Sequence, residues 1–266
     1  MPGLIFTAGE ELPPVQVLAR VLGAAVKTDP DTAALAARRC WGLLGAGLDD
    51  AAAAALEEQC AVFAVPVIKL ADAPPPLPVP VPVKKVVIEN GAAVFSCEAG
   101  PVSCSPDDLS VLAAAPIKEE FFRTVTASEG PSAGAKAMRL GIMAVTGLPI
   151  GLGKSREVKK DVKSSELSFY MDVVLNGGRA RLRLASDDLD FSGLKEKKTY
   201  SSQVNFRVLC GELAAFAPQA FKNAGLRAML AGRPLLLLGY DSLADLEKET
   251  LRLTLARAHT NRVGGG

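Results

Sequence analysis

Residues 74–83 are Pro-Pro-Pro-Leu-Pro-Val-Pro-Val-Pro-Val, a run that has proline at six of its ten positions. Proline lacks a backbone N–H and holds φ near −65°, so the run is incompatible with a helix or a central strand. We expect an extended polyproline II strut of roughly 30 Å, at about 3.1 Å per residue. The strut predicts four regions along the chain: a head at 1–72, a linker at 73–84, a body at 85–260 and a flexible tail at 261–266.

The composition is that of a globular protein, with 49% hydrophobic and 22% charged residues among 266. Thirty basic and 29 acidic residues give a net charge of +1, so no nucleic-acid partner is expected. The longest apolar run, residues 140–153, contains Pro149 and is shorter than the ~20 residues that span a bilayer, which predicts no membrane insertion. The N-terminus lacks the basic and apolar regions of a secretory signal, so a cytoplasmic location is expected.

Few residues suit catalysis or metal binding. His259 is the single histidine and lies within the last eight residues, whereas Ser-His-Asp and Cys-His catalysis need a rigidly held imidazole. The five cysteines include no C-x-x-C pair. Cys97 and Cys104 allow three interpretations: a metal half-site across a turn, a disulfide, or two half-buried strand residues. We therefore predict no catalytic residue, no metal and no cofactor.

The head is predicted to have the order strand, helix, helix, strand, helix, strand, a small α/β sandwich. Its third helix begins within Gly-x-Gly-Leu-Asp-Asp-x-x-Ala-x-x-Leu, residues 45–56. This pattern and order resemble the C-terminal domain of the bacterial ribosomal stalk protein, which recruits translation factors. Residues 29–37, which match its lysine-rich factor-binding surface, contain no lysine. This resemblance implies a bacterial protein whose head has the stalk domain's fold and serves as a protein-docking module.

Arg38, Arg39 and Trp41 are the head's candidate partner-binding residues, because arginine and tryptophan are enriched in interface hot spots. The alternative is that the two arginines stabilise the end of the second helix while Trp41 fills a small core.

The body is predicted to be rich in antiparallel strands, and the whole chain to belong to the α+β class. Asn90-Gly91 and residues 176–178 lie between apolar runs, a strong hairpin signal. Helices are expected at 105–112, 201–216, 218–231 and 243–258. The element order of residues 84–217 resembles a pleckstrin-homology β-barrel with its C-terminal helix; an open antiparallel sheet backed by helices is the alternative.

Arg179, Arg181 and Arg183 alternate along one predicted strand and form the body's candidate surface for an anionic partner. The alternative is an exposed face on which these arginines pair with Asp172 and with the acids at 187, 188 and 190.

Residues 146–155, Thr-Gly-Leu-Pro-Ile-Gly-Leu-Gly-Lys-Ser, are similar to a phosphate-binding loop. That motif requires glycine five positions before Gly153, where this chain has Leu148. A turn between two strands is therefore expected there instead of a nucleotide site.

These features predict a cytosolic, non-enzymatic adaptor whose head docks a protein partner and whose body offers a second binding surface. One alternative is an enzyme or small-ligand binder whose site in the body uses carboxylates or thiols. The residues that would serve it are Asp172, Asp187, Asp188, Cys97 and Cys210. Another alternative is a component that self-associates through its head and C-terminal helix.

Overall fold

The computed structural model describes residues 3–129, 156–235 and 238–264. Its helices are α1 (Val15–Val26), α2 (Pro30–Arg39), α3 (Asp50–Val62), α4 (Ser202–Phe216), α5 (Ala224–Leu230) and α6 (Leu243–Gly264). Its strands are β1 (Gly3–Thr7), β2 (Leu43–Leu48), β3 (Val67–Leu70), β4 (Val81–Glu89), β5 (Ala92–Cys97), β6 (Gly100–Cys104), β7 (Leu109–Glu129), β8 (Arg156–Leu175), β9 (Ala180–Ala185) and β10 (Phe221–Lys222). The predicted α+β class is confirmed.

Short-range signals in the sequence place several of these elements. The side chain of Asp29 accepts hydrogen bonds from the backbone N–H groups of Asp31 and Thr32, which starts α2. Asp49 starts α3 in the same way. Asn90 and Gly91 both have positive φ, 52° and 75°, as the tight turn between β4 and β5 requires.

The head contains a three-stranded antiparallel sheet in the order β2-β1-β3. Side chains alternate across β1 because successive residues of a strand point to opposite faces. Ile5 packs with the buried side chains of α1 and α3, whereas Leu4 and Phe6 lie on the other face and contact Ala256 of α6. The head sheet is therefore covered on both sides.

The body contains a seven-stranded mixed sheet in the order β10-β7-β8-β9-β4-β5-β6. The hairpins predicted around Asn90 and Asn176 join β4 to β5 and β8 to β9. The helix expected at 105–112 is wrong: a 3-10 turn, Pro106–Asp108, leads directly into β7. The helix expected at 218–231 is shorter than predicted, because β10 occupies residues 221–222 and α5 starts at Ala224.

The proline run does not behave as an isolated strut. Val81 and Pro82 belong to β4 and pair with Leu182 and Arg183 of β9. Residues 75–78 line a cavity of about 240 Å³ together with side chains of α6. The linker boundary expected at residue 84 thus falls inside the body sheet.

Helix α6 contacts both sheets. Leu246 and Leu253 belong to a cluster of buried side chains with Val111 and Val174 of the body sheet. Ala256 belongs to a second cluster, with Leu4 and Phe6 of the head sheet. The head and the body keep separate sheets, but both pack against the same helix.

The expectation of two independently packed halves is therefore corrected. Residues 1–117 and 167–266 form one compact unit. Within it, the buried guanidinium of Arg252 on α6 donates hydrogen bonds of 2.9 Å to the carbonyls of Gly9 and Glu10 in the head. Residues 118–166 form a second unit, which includes residues 118–129 of β7 and residues 156–166 of β8.

Two sequence-based predictions fall outside the described residues: the apolar run 140–153 and the phosphate-loop-like segment 146–155. Among the helices that the structure describes, none combines the length and the apolar character needed to cross a membrane.

The shared packing around α6 predicts that head and body unfold together. We expect urea unfolding followed by the fluorescence of Trp41, the only tryptophan, to have the same midpoint as unfolding followed by far-UV circular dichroism. Phe6→Ala should lower both midpoints together, because it removes about 3–5 kcal/mol of packing against α6. Two separate transitions, or a Phe6→Ala effect confined to one probe, would contradict the shared core.

Candidate functional site

The arginine row of the body is sequestered in a buried ion cluster. Arg181 and Arg183 both bond to the carboxylate of Asp172, at 3.3 Å and 2.7 Å, and both bond to Glu247 of α6. The side chain of Asp172 is 0% exposed, and those of Arg181 and Arg183 are 4% and 14% exposed. Two cations meet two acids here, so the cluster has no charge left for an anionic partner.

Electrostatics supports this interpretation. Burial disfavours the charge on Arg183, but its hydrogen bonds and charge interactions with Asp172 and Glu247 outweigh that cost, and the pKa of Arg183 is raised. Arg179 is exposed and precedes β9. The expected binding face formed by Arg179, Arg181 and Arg183 is therefore wrong, because α6 covers two of its three members.

A second buried polar cluster joins α6, α5 and β7. The Tyr240 hydroxyl donates a short hydrogen bond to Glu249, whose carboxylate also accepts from the side chain of Asn223 at 2.9 Å. Asn223 in turn bonds both backbone groups of Ala114 in β7, at 2.8 Å and 2.9 Å, and accepts from the N–H of Leu226 at the start of α5. These contacts fix the segment before α6 against the body sheet.

Trp41 connects this cluster to the head. Its ring stacks on the ring of Tyr240 with centroids 4.2 Å apart and planes 11° from parallel. Trp41 has a φ of 48° and Gly42 a φ of 82°, so the chain turns sharply after α2. A Cβ on Gly42 would collide with the Arg252 side chain, so glycine is required for this close approach. Trp41 is thereby fixed at the boundary between head and body.

Next to Trp41 lies a cavity of about 610 Å³, which we call the α2 groove. Three chain segments line it: residues 12–18 at the start of α1, residues 35–42 at the end of α2, and residues 238–248 leading into α6. The predicted cluster of Arg38, Arg39 and Trp41 lies entirely within this lining. The structure thus brings these three residues together at one concave surface, where Arg38 and Arg39 are exposed, whereas Trp41 is buried in a core cluster, as the alternative interpretation expected.

The α2 groove combines cations with exposed apolar side chains. Arg38 and Arg39 are exposed, and among the residues described here neither has a carboxylate within ion-pairing distance. Lys248 adds a third cation, and its Nζ lies 3.3 Å from the carbonyl oxygen of Arg39. Val15 and Leu35 remain 37% and 47% exposed. Unpaired cations beside accessible apolar area are suited to binding another molecule.

The groove's acids are unequally available. Asp245 is buried: its carboxylate accepts hydrogen bonds from the N–H of Asp241 and the hydroxyl of Ser242, and it lies 3.6 Å from Lys248. These bonds stabilise the start of α6. Asp241 is exposed.

The thiols considered for a site in the body lie where burial disfavours the reactive thiolate, and the two aspartates near the end of β9 are hydrogen-bonded or exposed. Cys210 is buried, its Sγ lies 3.8 Å from the sulfur of Met171, and burial raises the pKa of its thiol. Burial also raises the pKa of Cys97, which disfavours the reactive thiolate. Asp187 accepts hydrogen bonds from Ser168 and Ser186, and Asp188 is exposed on the turn after β9.

Cys97 and Cys104 do not face each other across a turn. Cys97 pairs with Gly100 and Cys104 pairs with Ala93, so their ladder positions are four residues apart. That offset is about 13 Å at roughly 3.3 Å per residue, too far for a disulfide. Burial raises the pKa of Cys104 to about 11. Both cysteines are free, as the interpretation of two half-buried strand residues expects.

Comparison with known proteins gives no relative for this chain: no family model, curated protein or solved structure matches it significantly. The site is therefore interpreted from its own residues.

Sequence reasoning missed the body residues that complete the groove. Asp241, Asp245 and Lys248 lie about 200 positions after Arg38, and no motif links them to it. The available signal was indirect. The segment Gly-Tyr-Asp-Ser before the helix contains residues typical of turns and helix N-caps. It predicts where α6 starts, but not that this start lies beside α2.

The buried ion cluster predicts a large stability loss for Asp172→Ala. The variant leaves Arg181 and Arg183 with Glu247 as their remaining carboxylate partner, so the free energy of unfolding should fall by about 3–5 kcal/mol. Asp188→Ala is the matched control, since its carboxylate is exposed and the change should stay within about 0.5 kcal/mol. Urea denaturation measures both, and equal losses would disprove the structural role of Asp172.

The polar cluster at Tyr240 predicts a pH-dependent effect of Tyr240→Phe. Burial, together with the charge of Glu249, raises the pKa of Tyr240 well above its ordinary value. The folded protein keeps this proton, whereas the unfolded chain releases it above about pH 10, so folding loses stability as the pH rises further. Below that pH the variant should lose about 1–3 kcal/mol, because Glu249 loses a hydrogen-bond donor.

Between about pH 10 and about pH 11 the wild-type advantage should shrink, by up to about 1.4 kcal/mol per pH unit. The measurement is urea unfolding of both proteins at each pH. Tyr200→Phe, which alters a fully exposed tyrosine, is the control and should leave the pH profile unchanged. A wild-type advantage that stays constant across this range would rule out a protonated, buried Tyr240.

Proposed function

We propose that this protein is a non-enzymatic interaction protein that docks a segment of a partner protein in the α2 groove. The observation that carries the proposal is the meeting of Arg38, Arg39 and Trp41 with Lys248 at one concave surface that also exposes Val15 and Leu35. A cavity of about 610 Å³ is large enough for several side chains of a bound segment. Arginine and tryptophan are the residue types that contribute most often to binding energy at protein interfaces.

The structure changes the mechanism expected for such an adaptor. A free strut would have extended the head away from the body, but residues 75–78 line a cavity together with α6, and the head packs on the same helix. The groove itself is built from both halves of the chain. Docking is therefore proposed at a rigid, preformed surface, which lowers the entropic cost of binding.

The second binding surface proposed from sequence has lost its candidate residues, since Arg181 and Arg183 are neutralised inside the protein. A site in the body that uses thiols or carboxylates gains no support, because neither Cys97 nor Cys210 lines any cavity described here. The proposal thus rests on the α2 groove alone.

Affinity purification with quantitative mass spectrometry tests this function. The full chain and its Arg38→Glu/Arg39→Glu variant serve as baits in extracts of the source cells, with Arg20→Glu as the control. Arg20 is also an exposed arginine, on α1, but does not line the groove. We expect at least one protein to be captured by the wild type and by Arg20→Glu, and to be lost with the double variant. Identical captured sets for all three baits would contradict docking in the groove.

A further inference from the structure

We infer that the segment docked in the α2 groove is acidic and carries an apolar anchor residue; this inference rests on the proposed function. The charges at the end of α2 are the first reason. Arg38 and Arg39 occupy its last turn, where the helix terminus contributes roughly half a negative charge. Half a charge cannot balance the two guanidinium groups, and the Lys248 ammonium beside them is balanced by Asp245. Carboxylates on the partner complete this balance.

The groove's own acids do not neutralise the two guanidinium groups. Asp245 is committed to the cap of α6 and to Lys248, and it is only 8% exposed. Asp241 is the remaining acid among the described lining residues, and it is exposed. Two unpaired guanidinium groups, those of Arg38 and Arg39, therefore face one accessible carboxylate. A basic segment would meet a net repulsion here, whereas an acidic one is attracted.

The apolar anchor follows from two exposed aliphatic side chains in the same lining. Leu35 precedes Arg38 by one helical turn, so both side chains lie on the same side of α2. Val15 contributes a second exposed aliphatic side chain from α1. A partner that carried only carboxylates would leave this apolar area in water. An aliphatic or aromatic residue next to the acids would bury this area and add to the binding energy.

The same features favour a protein segment over a nucleic acid. Nucleic-acid sites use many phosphate-directed cations, and their affinity depends steeply on salt. This groove has three cations, in a chain whose net charge is +1, and it exposes aliphatic rather than aromatic stacking surfaces. A single-stranded oligonucleotide is therefore the competing ligand that the test must include.

Trp41 is a built-in reporter, because it is the only tryptophan and lines the groove. The probes are three short peptides without tryptophan or tyrosine: one of Glu and Asp with a central Leu-Leu pair, one in which Ser replaces that pair, and one in which Lys replaces the acids. We expect a saturable change in Trp41 emission with the first peptide, a weaker one with the second and none with the third. Added salt should weaken the first interaction, since the groove's charges are screened.

Variants assign the binding to the groove. Arg38→Glu/Arg39→Glu should raise the Kd of the acidic leucine peptide on the order of tenfold or more, and Leu35→Ser should raise it less. Arg20→Glu, outside the groove, should leave the Kd unchanged. The inference is overturned if the acidic leucine peptide gives no saturable response, if the lysine peptide binds as well, or if an oligothymidine binds more tightly than the peptide.

A photo-cross-linking residue at position 35 of the full chain separates the two proposals. After irradiation in extracts of the source cells, the cross-linked partner segment is sequenced. An acidic segment with an aliphatic or aromatic residue supports the inference. A neutral or basic segment would overturn it while leaving docking in the groove intact. The absence of any cross-link that depends on Arg38 and Arg39 would remove the proposed function itself.

Discussion

The packing of α6 between two sheets is the constraint on which the rest of the structure depends. Leu246 and Leu253 pack against the body sheet, while Ala256 packs against β1 of the head. A small residue at 256 allows the helix to approach Leu4 and Phe6 closely. Each large apolar side chain buried along these contacts contributes about 1.5–3 kcal/mol, so the helix holds the halves together without a shared sheet. It also brings residues 238–248 beside the end of α2, which creates the groove.

A helix enclosed on both sides must satisfy its polar residues within the protein. Glu249 meets this requirement through Tyr240 and Asn223, and Arg252 through carbonyl groups of the head. One donor on the helix stays unsatisfied, because the Nε of Arg252 has no hydrogen-bond partner among the described atoms. The same holds for the Nε of Arg181 in β9. An unsatisfied buried donor costs about 1–3 kcal/mol, which is less than the apolar burial around it supplies. In the body cluster the charges of two arginines and two acids cancel. At the end of α2, by contrast, the guanidinium groups of Arg38 and Arg39 have no carboxylate partner among the described residues.

The sequence predicts what is decided locally and fails where distant segments meet. The cap at Asp29 and the turn at Asn90-Gly91 depend on neighbouring residues, and the turn was predicted from its dipeptide. The exposure of Arg181 depends on α6, whose Glu247 lies 66 positions away, so alternation along β9 could not reveal it. The proline run posed the same problem: its extended geometry follows from φ, but the cavity that it lines together with α6 depends on a helix almost 170 residues later. The cluster of Arg38, Arg39 and Trp41 was recognised from composition, whereas Lys248 was not.

The assembly of the groove from both halves also explains why the head alone would be a poor docking module. Trp41 is held in an unfavourable backbone conformation at φ 48°, and its ring is supported by Tyr240 of the body. Without residues 238–248 the groove would lose Lys248 and one wall, and Trp41 would lose the stacking that offsets its strain. A ligand that binds only the complete groove stabilises the folded unit by mass action. The proposed partner binding would thus be thermodynamically linked to the packing of head on body through the same few side chains.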